Sequence, residues 1–290
     1  MQALYDVPAP AKLNLFLHIT GRRADGYHLL QSVFMLIDWA DSLHFEPRRD
    51  SNISREDIGP ALPADDLTVR AARALQAATG CALGVHISVA KRIPAQAGMG
   101  GGSSDAASCL LALNRLWQLH LPLQKLKQIG LALGADVPFF LRGRNAWVEG
   151  IGETITPLTG AATLPRAEFA VVRPDTGLDT GLIFSAPALK RDTKAATISG
   201  FAADHYGFGR NDLQSVAQAL CPGVAQATTW LDGKGLKARM TGSGSAVFAF
   251  LPRTVDLTDI PCGWQARKCS NLDVHPLAGW APSDNSSVGA

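Results

Sequence analysis

Cysteine is scarce in this 290-residue chain: Cys81, Cys109, Cys221, Cys262 and Cys269 form no C-x-x-C pair and no spacing that suits a metal. That excludes a disulfide scaffold or a zinc module, and the five thiols are expected to be free in a reducing cytoplasm. No run of about 18 apolar residues occurs, so no membrane-spanning helix is expected. The first residues carry Asp6, Pro8, Pro10 and Lys12 where a signal peptide needs a basic stretch and then an apolar one. Strong net charge is also missing. With 27 basic and 25 acidic residues the chain stands at +2, without the basic face that nucleic acid or an anionic lipid surface requires. An anionic ligand must therefore be gripped locally. No internal repeat is evident, and Asn285-Ser286-Ser287 matches a glycosylation acceptor that carries no weight without secretion. What the chain does have is 47% hydrophobic and 18% charged residues over a length that permits two domains, placed at 1–157 and 158–290.

Residues 11–19 alternate, with Leu13, Leu15, Leu17 and Ile19 on one side and Lys12, Asn14, Phe16 and His18 on the other, which reads as a half-buried strand. Lys12 and Asn14 then point the same way, either into a site or as a solvated edge. After the turn Gly21–Gly26, Tyr27 and His28 open an apolar segment over 29–38, and a third short strand is expected over 42–45. Residues 47–63 read as an irregular surface connection. Asp65-Asp66 and Gly80 bracket a helix with Leu67, Ala71, Ala74, Leu75 and Ala78 at helical spacing. Residues 84–93 alternate again, with Val85, Ile87 and Val89 inward. A helix over 104–116 packs Ala107, Leu110, Leu111 and Asn114, and another runs over 124–133. Asp136 follows, set in Ala135-Asp136-Val137-Pro138-Phe139-Phe140. An acid there either caps a local turn or is kept for chemistry. Further strands are expected at 146–148, 169–172, 236–240 and 246–251, and helices at 180–189, carrying Phe184, 211–220 and 224–231. The tail after Trp264 is weakly patterned, and 282–290 is expected to fray.

Between the strand ending near Ile93 and the next helix lies Pro94-Ala95-Gln96-Ala97-Gly98-Met99-Gly100-Gly101-Gly102-Ser103-Ser104. Four glycines in five residues at a helix start either make a simple turn or cradle phosphate: glycine admits the ligand to the backbone, and the first helical turn offers free N–H groups and a positive dipole end. Ser103 and Ser104 are expected to cap the helix or to reach phosphate or a metal. The loop is not a Walker loop, because no Gly-Lys-Ser/Thr follows. It is not a dinucleotide fingerprint either, because Ser103 stands where the third glycine belongs and antiparallel strands precede it.

These residues, extended through Asp105-Ala106-Ala107, resemble the phosphate-binding motif of the GHMP kinases. Ala9-Pro10-Ala11-Lys12-Leu13-Asn14-Leu15, Arg23-Ala24-Asp25-Gly26-Tyr27-His28, Gly134–Phe140 and Ile183-Phe184 carry the resemblance along nearly the whole chain, toward the branch that acts on a cytidine-diphosphate-linked methylerythritol. Met99 departs from the usual leucine, a volume-conserving change.

The resemblance implies an α+β, two-domain GHMP kinase fold, with an N-terminal domain like ribosomal protein S5 domain 2 and a C-terminal ferredoxin-like domain. It implies ATP as co-substrate with Mg²⁺, and transfer of the γ-phosphoryl to the 2-hydroxyl of the methylerythritol unit in isoprenoid precursor synthesis. Asp136 and Lys12 match the family's catalytic pair, and Pro94 to Ser104 its ATP loop. Asn14, Tyr27, His28 and Phe184 match substrate contacts, with Tyr27 and Phe184 sandwiching the cytosine. No dedicated metal residues are assigned, Ser104 being the one candidate. Residues 241–245 resemble the family's third motif. A small-molecule substrate is implied, with no nucleic acid or membrane partner, in a monomer or homodimer. The competing expectations are another GHMP kinase acting on homoserine or a mevalonate derivative, and a non-catalytic RNA-binding module.

Overall fold

The computed structural model describes residues 2–283; the acceptor tripeptide at 285–287 and most of the expected frayed tail lie outside the described residues. The chain opens with a long antiparallel pair, β1 (Leu4–Arg22) and β2 (His28–Arg48). The two segments expected at 29–38 and 42–45 are thus one strand. Asp41, between the two, is buried and turned onto the backbone N–H groups of Arg92 and Ile93. The pairing of β1 and β2 slips at four places, one between Pro10 and Lys12 and one between Asn14 and Leu17. Such irregularities re-aim side chains locally, and the short regular stretch between these two carries Lys12 and Asn14.

The expected surface connection over 47–63 contains β3 (Ile53–Ile58), an edge strand parallel to β4 (Gly84–Ala90). Its Arg, Glu and Asp residues hide the strand pattern because edge strands tolerate, and often use, charge. Between them α1 (Leu67–Thr79) is capped as the sequence indicates: the Asp66 carboxylate accepts from the N–H groups of Thr68 and Val69, and Gly80 closes the helix in the left-handed region. Val85, Ile87 and Val89 of β4 are fully buried beneath α1 and α2 (Gly101–Leu116). α3 (Leu123–Leu133), α4 (Val137–Arg142) and the hairpin β5 (Ala146–Gly150) and β6 (Thr154–Pro157) complete this half.

The second half comprises β7 (Glu168–Arg173), the short helices α5 (Thr180–Ser185) and α6 (Ile198–Ala202), then α7 (Gln214–Leu220), α8 (Pro222–Gly233), β8 (Ala238–Met240), β9 (Val247–Leu251) and β10 (Gln265–Leu272). The weakly patterned tail therefore supplies a strand, and a central one. β10 pairs with β7 and, at Asn271 and Leu272, with β2, so all ten strands of the described residues join one mixed sheet. This explains a second departure. The β1 strand is buried on both faces rather than one: Phe16 is fully buried among Trp147, Phe201 and Phe208, aromatics drawn from both halves.

Beyond β10 the chain returns to the first half. The backbone N–H of His275 donates to the Gly143 carbonyl at 2.9 Å, and Leu277 enters the core under α2 and α4. The His275 Nδ1 accepts from the Leu277 N–H at 3.0 Å, and the ring is 2% exposed. Burial pulls its pKa down to about 4 from an ordinary 6.5. Below about pH 6.5 the unfolded chain takes up a proton that the folded chain refuses, so stability falls as pH drops from 6.5 toward 4. Urea midpoints measured at pH 7 and pH 5 should show this loss in the native chain and a smaller one in His275→Leu; equal losses in the two proteins would remove His275 as its source.

Candidate active site

The glycine loop is shaped by what touches it. Gly98 (φ +70°) and Gly100 (φ +71°) both sit in the left-handed region, and a Cβ on Gly98 would collide with the carbonyl of Thr241. The turn at 241–245 is docked directly onto the loop: Ser245 N–H donates to the Gln96 carbonyl at 3.1 Å, and Ala246 N–H to the Ala97 carbonyl at 3.2 Å. Thr241 adds a hydroxyl that accepts from the Asn14 N–H at 2.9 Å, while Lys12 N–H donates to the Met99 carbonyl at 3.0 Å. Strand β1, the glycine loop and the glycine-serine turn are therefore one unit.

The helix that leaves this loop starts earlier than expected. Gly100 occupies the cap position of α2 and no side chain caps it; neither Ser103 nor Ser104 does so, and the first turn holds no acid. The first-turn N–H groups and the positive helix end are thus left for an external anion. Ser104 is fully buried, with its hydroxyl donating to the Pro10 carbonyl at 2.7 Å, which turns it away from the cleft. The cleft itself, of about 1010 Å³, is lined by every residue from Pro94 to Ser103, together with Leu62, Asp66, Leu67, Lys91, Leu178, Thr180, Ser243 and Gly244.

Lys12 is buried at 4% exposure, and a Cβ on Gly100 would lie 3.3 Å from its Cε, so the lysine stem packs against the loop. Its ammonium donates to the Asn14 Oδ1 at 2.5 Å, stands 4.5 Å over the Phe34 ring and lies 3.6 Å from the Asp136 Oδ2. Burial pulls the Lys12 pKa down, against the opposing charge of Asp136. Asp136 sits at the cap position of α4, but its side chain caps nothing and is 30% exposed. Of the two roles left open for this acid, the structure removes the cap. Asn14 is 2% exposed, and its amide accepts from Lys12 and donates to the Ser32 hydroxyl at 2.9 Å.

A second cleft of about 560 Å³ gathers Tyr27, His28 and Phe184 with Arg22, Asp25, Leu30, Ile151, Gly181 and Ser185. Tyr27 is 61% exposed, and the ring lying against Phe184 is His28, with centroids 5.1 Å apart and planes inclined by 33°. Residues Gly177 to Thr180 border the first cleft while Gly181, Phe184 and Ser185 border the second, so the α5 region separates and joins them. Thr180 meets Ser243 hydroxyl to hydroxyl at 2.7 Å.

Sequence reasoning missed two features. The Lys91 ammonium is clamped between the carboxylates of Asp41 and Asp105, the latter at 2.7 Å, beside the first cleft. Burial pushes the Asp105 carboxyl up, against the attraction of Lys91. Lys91 and Asp105 flank the glycine loop and were visible, but Asp41 comes from a strand 50 residues earlier. The second is Arg191, whose guanidinium reaches His28; nothing in its local pattern marks it.

Two family models match the chain: the GHMP kinases N terminal domain over residues 66–144 and the GHMP kinases C terminal over residues 188–267. The chain is 67% identical, over 98% of its length and all of the relative's, to the 4-diphosphocytidyl-2-C-methyl-D-erythritol kinase of Paracidovorax citrulli. It is 68% identical to the enzyme of that name from Albidiferax ferrireducens over the whole of both chains. The crystal structure of a 4-(cytidine 5'-diphospho)-2C-methyl-D-erythritol kinase superposes with a TM-score of 0.77 at 32% identity, covering 93% of this chain and 99% of that one. Its loop, its paired clefts and these full-length similarities together place the chain in the 4-diphosphocytidyl-2-C-methyl-D-erythritol kinase family of the GHMP kinases.

Proposed function

We propose that this protein transfers the γ-phosphoryl of ATP to the 2-hydroxyl of 4-diphosphocytidyl-2-C-methyl-D-erythritol, with the first cleft taking ATP and the second the cytidine end. One observation carries the reading: a buried lysine packed on the glycine loop, 3.6 Å from an acid that its own backbone position leaves free. Phosphoryl transfer asks a protein for positioning and charge more than for covalent chemistry, and this pair supplies both. Residues Pro94 to Ser103, with the open N-terminus of α2, hold the phosphates; Ser104 supports them from behind through Pro10. Asp136 accepts the hydroxyl proton as the attacking oxygen forms its bond to phosphorus and the bond to ADP breaks. Lys12 offsets negative charge on the transferring group. Asn14 aims that ammonium. Tyr27, His28 and Phe184 offer apolar faces and a ring nitrogen to the pyrimidine.

Among the described residues no group of three His, Cys, Asp or Glu side chains is arranged to hold a metal. Mg²⁺ bound with the nucleotide would supply charge neutralisation at the phosphates. The two halves, taken as 1–157 and 158–290, act as the two sides of the site, with the stretch after β10 returning to the first. We further assign a cytoplasmic location, a small-molecule substrate without nucleic acid, and a monomeric or homodimeric state.

A coupled assay of ATP consumption should show turnover with the cytidylated substrate and none with mevalonate or homoserine. The opposite preference would assign another GHMP chemistry, and tight RNA binding with a steep salt dependence and no turnover would make the chain a binding module. Asp136→Asn should lower kcat by about 10²–10⁴ while both substrates still bind, since general-base transfer is worth that much; unchanged turnover removes Asp136 as the base. Tyr27→Ala and Phe184→Ala should each raise the KM for the cytidylated substrate by about tenfold or more, as the loss of a stacking face implies. The KM for ATP is the control, and an equal rise there would mean that these rings support the fold rather than the pyrimidine.

A further inference from the structure

Arg191 lies beyond α5, and its guanidinium makes four hydrogen bonds, all to neutral acceptors. Nε donates to the His28 Nε2 at 3.0 Å, Nη2 to the carbonyls of Phe184 at 3.0 Å and Ala186 at 2.9 Å, and Nη1 to the Leu189 carbonyl at 3.0 Å. One side chain thus grips both rings that meet at the second cleft, His28 by its edge and Phe184 by its backbone. A guanidinium does not give up its proton, so the imidazole nitrogen facing it must be a lone pair. The ring hydrogen is then on Nδ1, and His28 is neutral. We propose that Arg191 is a positioning residue for pyrimidine recognition, which holds His28 as the Nδ1–H tautomer against Phe184 and so pre-forms the cleft for the cytidylated substrate.

The inference rests on the substrate reading above and adds to it a residue outside the cleft-lining set. Its energetic logic is preorganisation. An imidazole free to flip would present either nitrogen, and an α5 end free to move would carry Phe184 with it, and both freedoms would have to be lost on binding. The electrostatics point the same way. Burial, then the charges of Arg191 and Arg22, press His28 below its ordinary pKa, which keeps it neutral. Asp25, which lines the same cleft, is paired with Arg23 at 2.7 Å.

The test is Arg191→Met and Arg191→Lys, each read by steady-state kinetics and by the ¹⁵N chemical shifts of the His28 ring. In the native chain His28 should show the Nδ1–H tautomer, and in Arg191→Met a mixture of tautomers. The KM for the cytidylated substrate should rise about tenfold, with kcat and the KM for ATP within about threefold, the split expected when binding is lost equally from the ground and transition states. Arg191→Lys keeps a cation but lacks the planar fork, so it should resemble Arg191→Met, and it serves if Arg191→Met does not fold. The double variant with His28→Asn should bind the substrate no more weakly than the weaker single variant. An unaltered tautomer, an unaltered KM, or a joint fall in kcat and rise in both KM values would overturn the proposal. Absence of native turnover on the cytidylated substrate would instead overturn the substrate reading, while the ring shifts would still report whether Arg191 fixes His28.

Discussion

The site depends on one close approach of backbone to backbone. Gly98 and the turn at 241–245 meet where no side chain fits: a Cβ on Gly242 would lie 2.6 Å from the Gly98 carbonyl, and one on Gly98 would strike Thr241. Two N–H to carbonyl bonds, from Ser245 and Ala246, hold this contact at fixed register. Because the turn comes from the second half of the chain and the loop from the first, the contact sets how the halves face each other. Thr241 extends it to β1 through the Asn14 N–H, so the segment bearing Lys12 moves with the loop.

That same approach explains which parts of the site were legible in the sequence. The phosphate loop, β4, α1 and the helix after the loop are local, and their signals are local too: alternation, a capping aspartate, a closing glycine. Asp136 was legible as an anomaly, an acid among apolar residues, and the free carboxylate resolves it. The double burial of β1 was not legible. Phe16 and His18 look like a solvent face until Phe201 and Phe208, nearly two hundred residues later, are laid on them. β10 was hidden for a related reason. Arg267 and Lys268, which point to opposite faces, are both exposed in the first half of a strand whose pairing is central, so its polarity reflects uncovered faces at that end and not an edge. β2 was expected as two segments, and the buried Asp41 carboxylate between them is an acceptor that ties one continuous strand to the approach of the loop.

Arg191 marks a further boundary of what sequence reasoning reaches. An arginine that binds four neutral acceptors has no periodicity and no acidic partner at a recognisable spacing. Its meaning comes wholly from the two rings it holds, and these are set on different halves of the chain. The Lys91 clamp is similar: an ammonium and two carboxylates from three separate segments meet beside the loop without resembling a motif.

The choice of Asn14 as the partner of Lys12 is the finer point of the design. A buried ammonium is costly to desolvate, and the cheapest compensation would be a carboxylate in contact with it. A carboxylate at position 14 would also cancel the charge that a phosphoryl group in transfer needs. Asparagine gives a short, directional hydrogen bond with no net charge, and the Phe34 ring face adds attraction of the same neutral kind. The formal anion paired with the ammonium among the described residues, Asp136, stands back at 3.6 Å and is 30% exposed, so water shares its charge. Lys12 is therefore oriented by neutral groups and only partly neutralised. Burial, only partly offset by Asp136, lowers its pKa, and that is the cost of keeping its charge available to substrate.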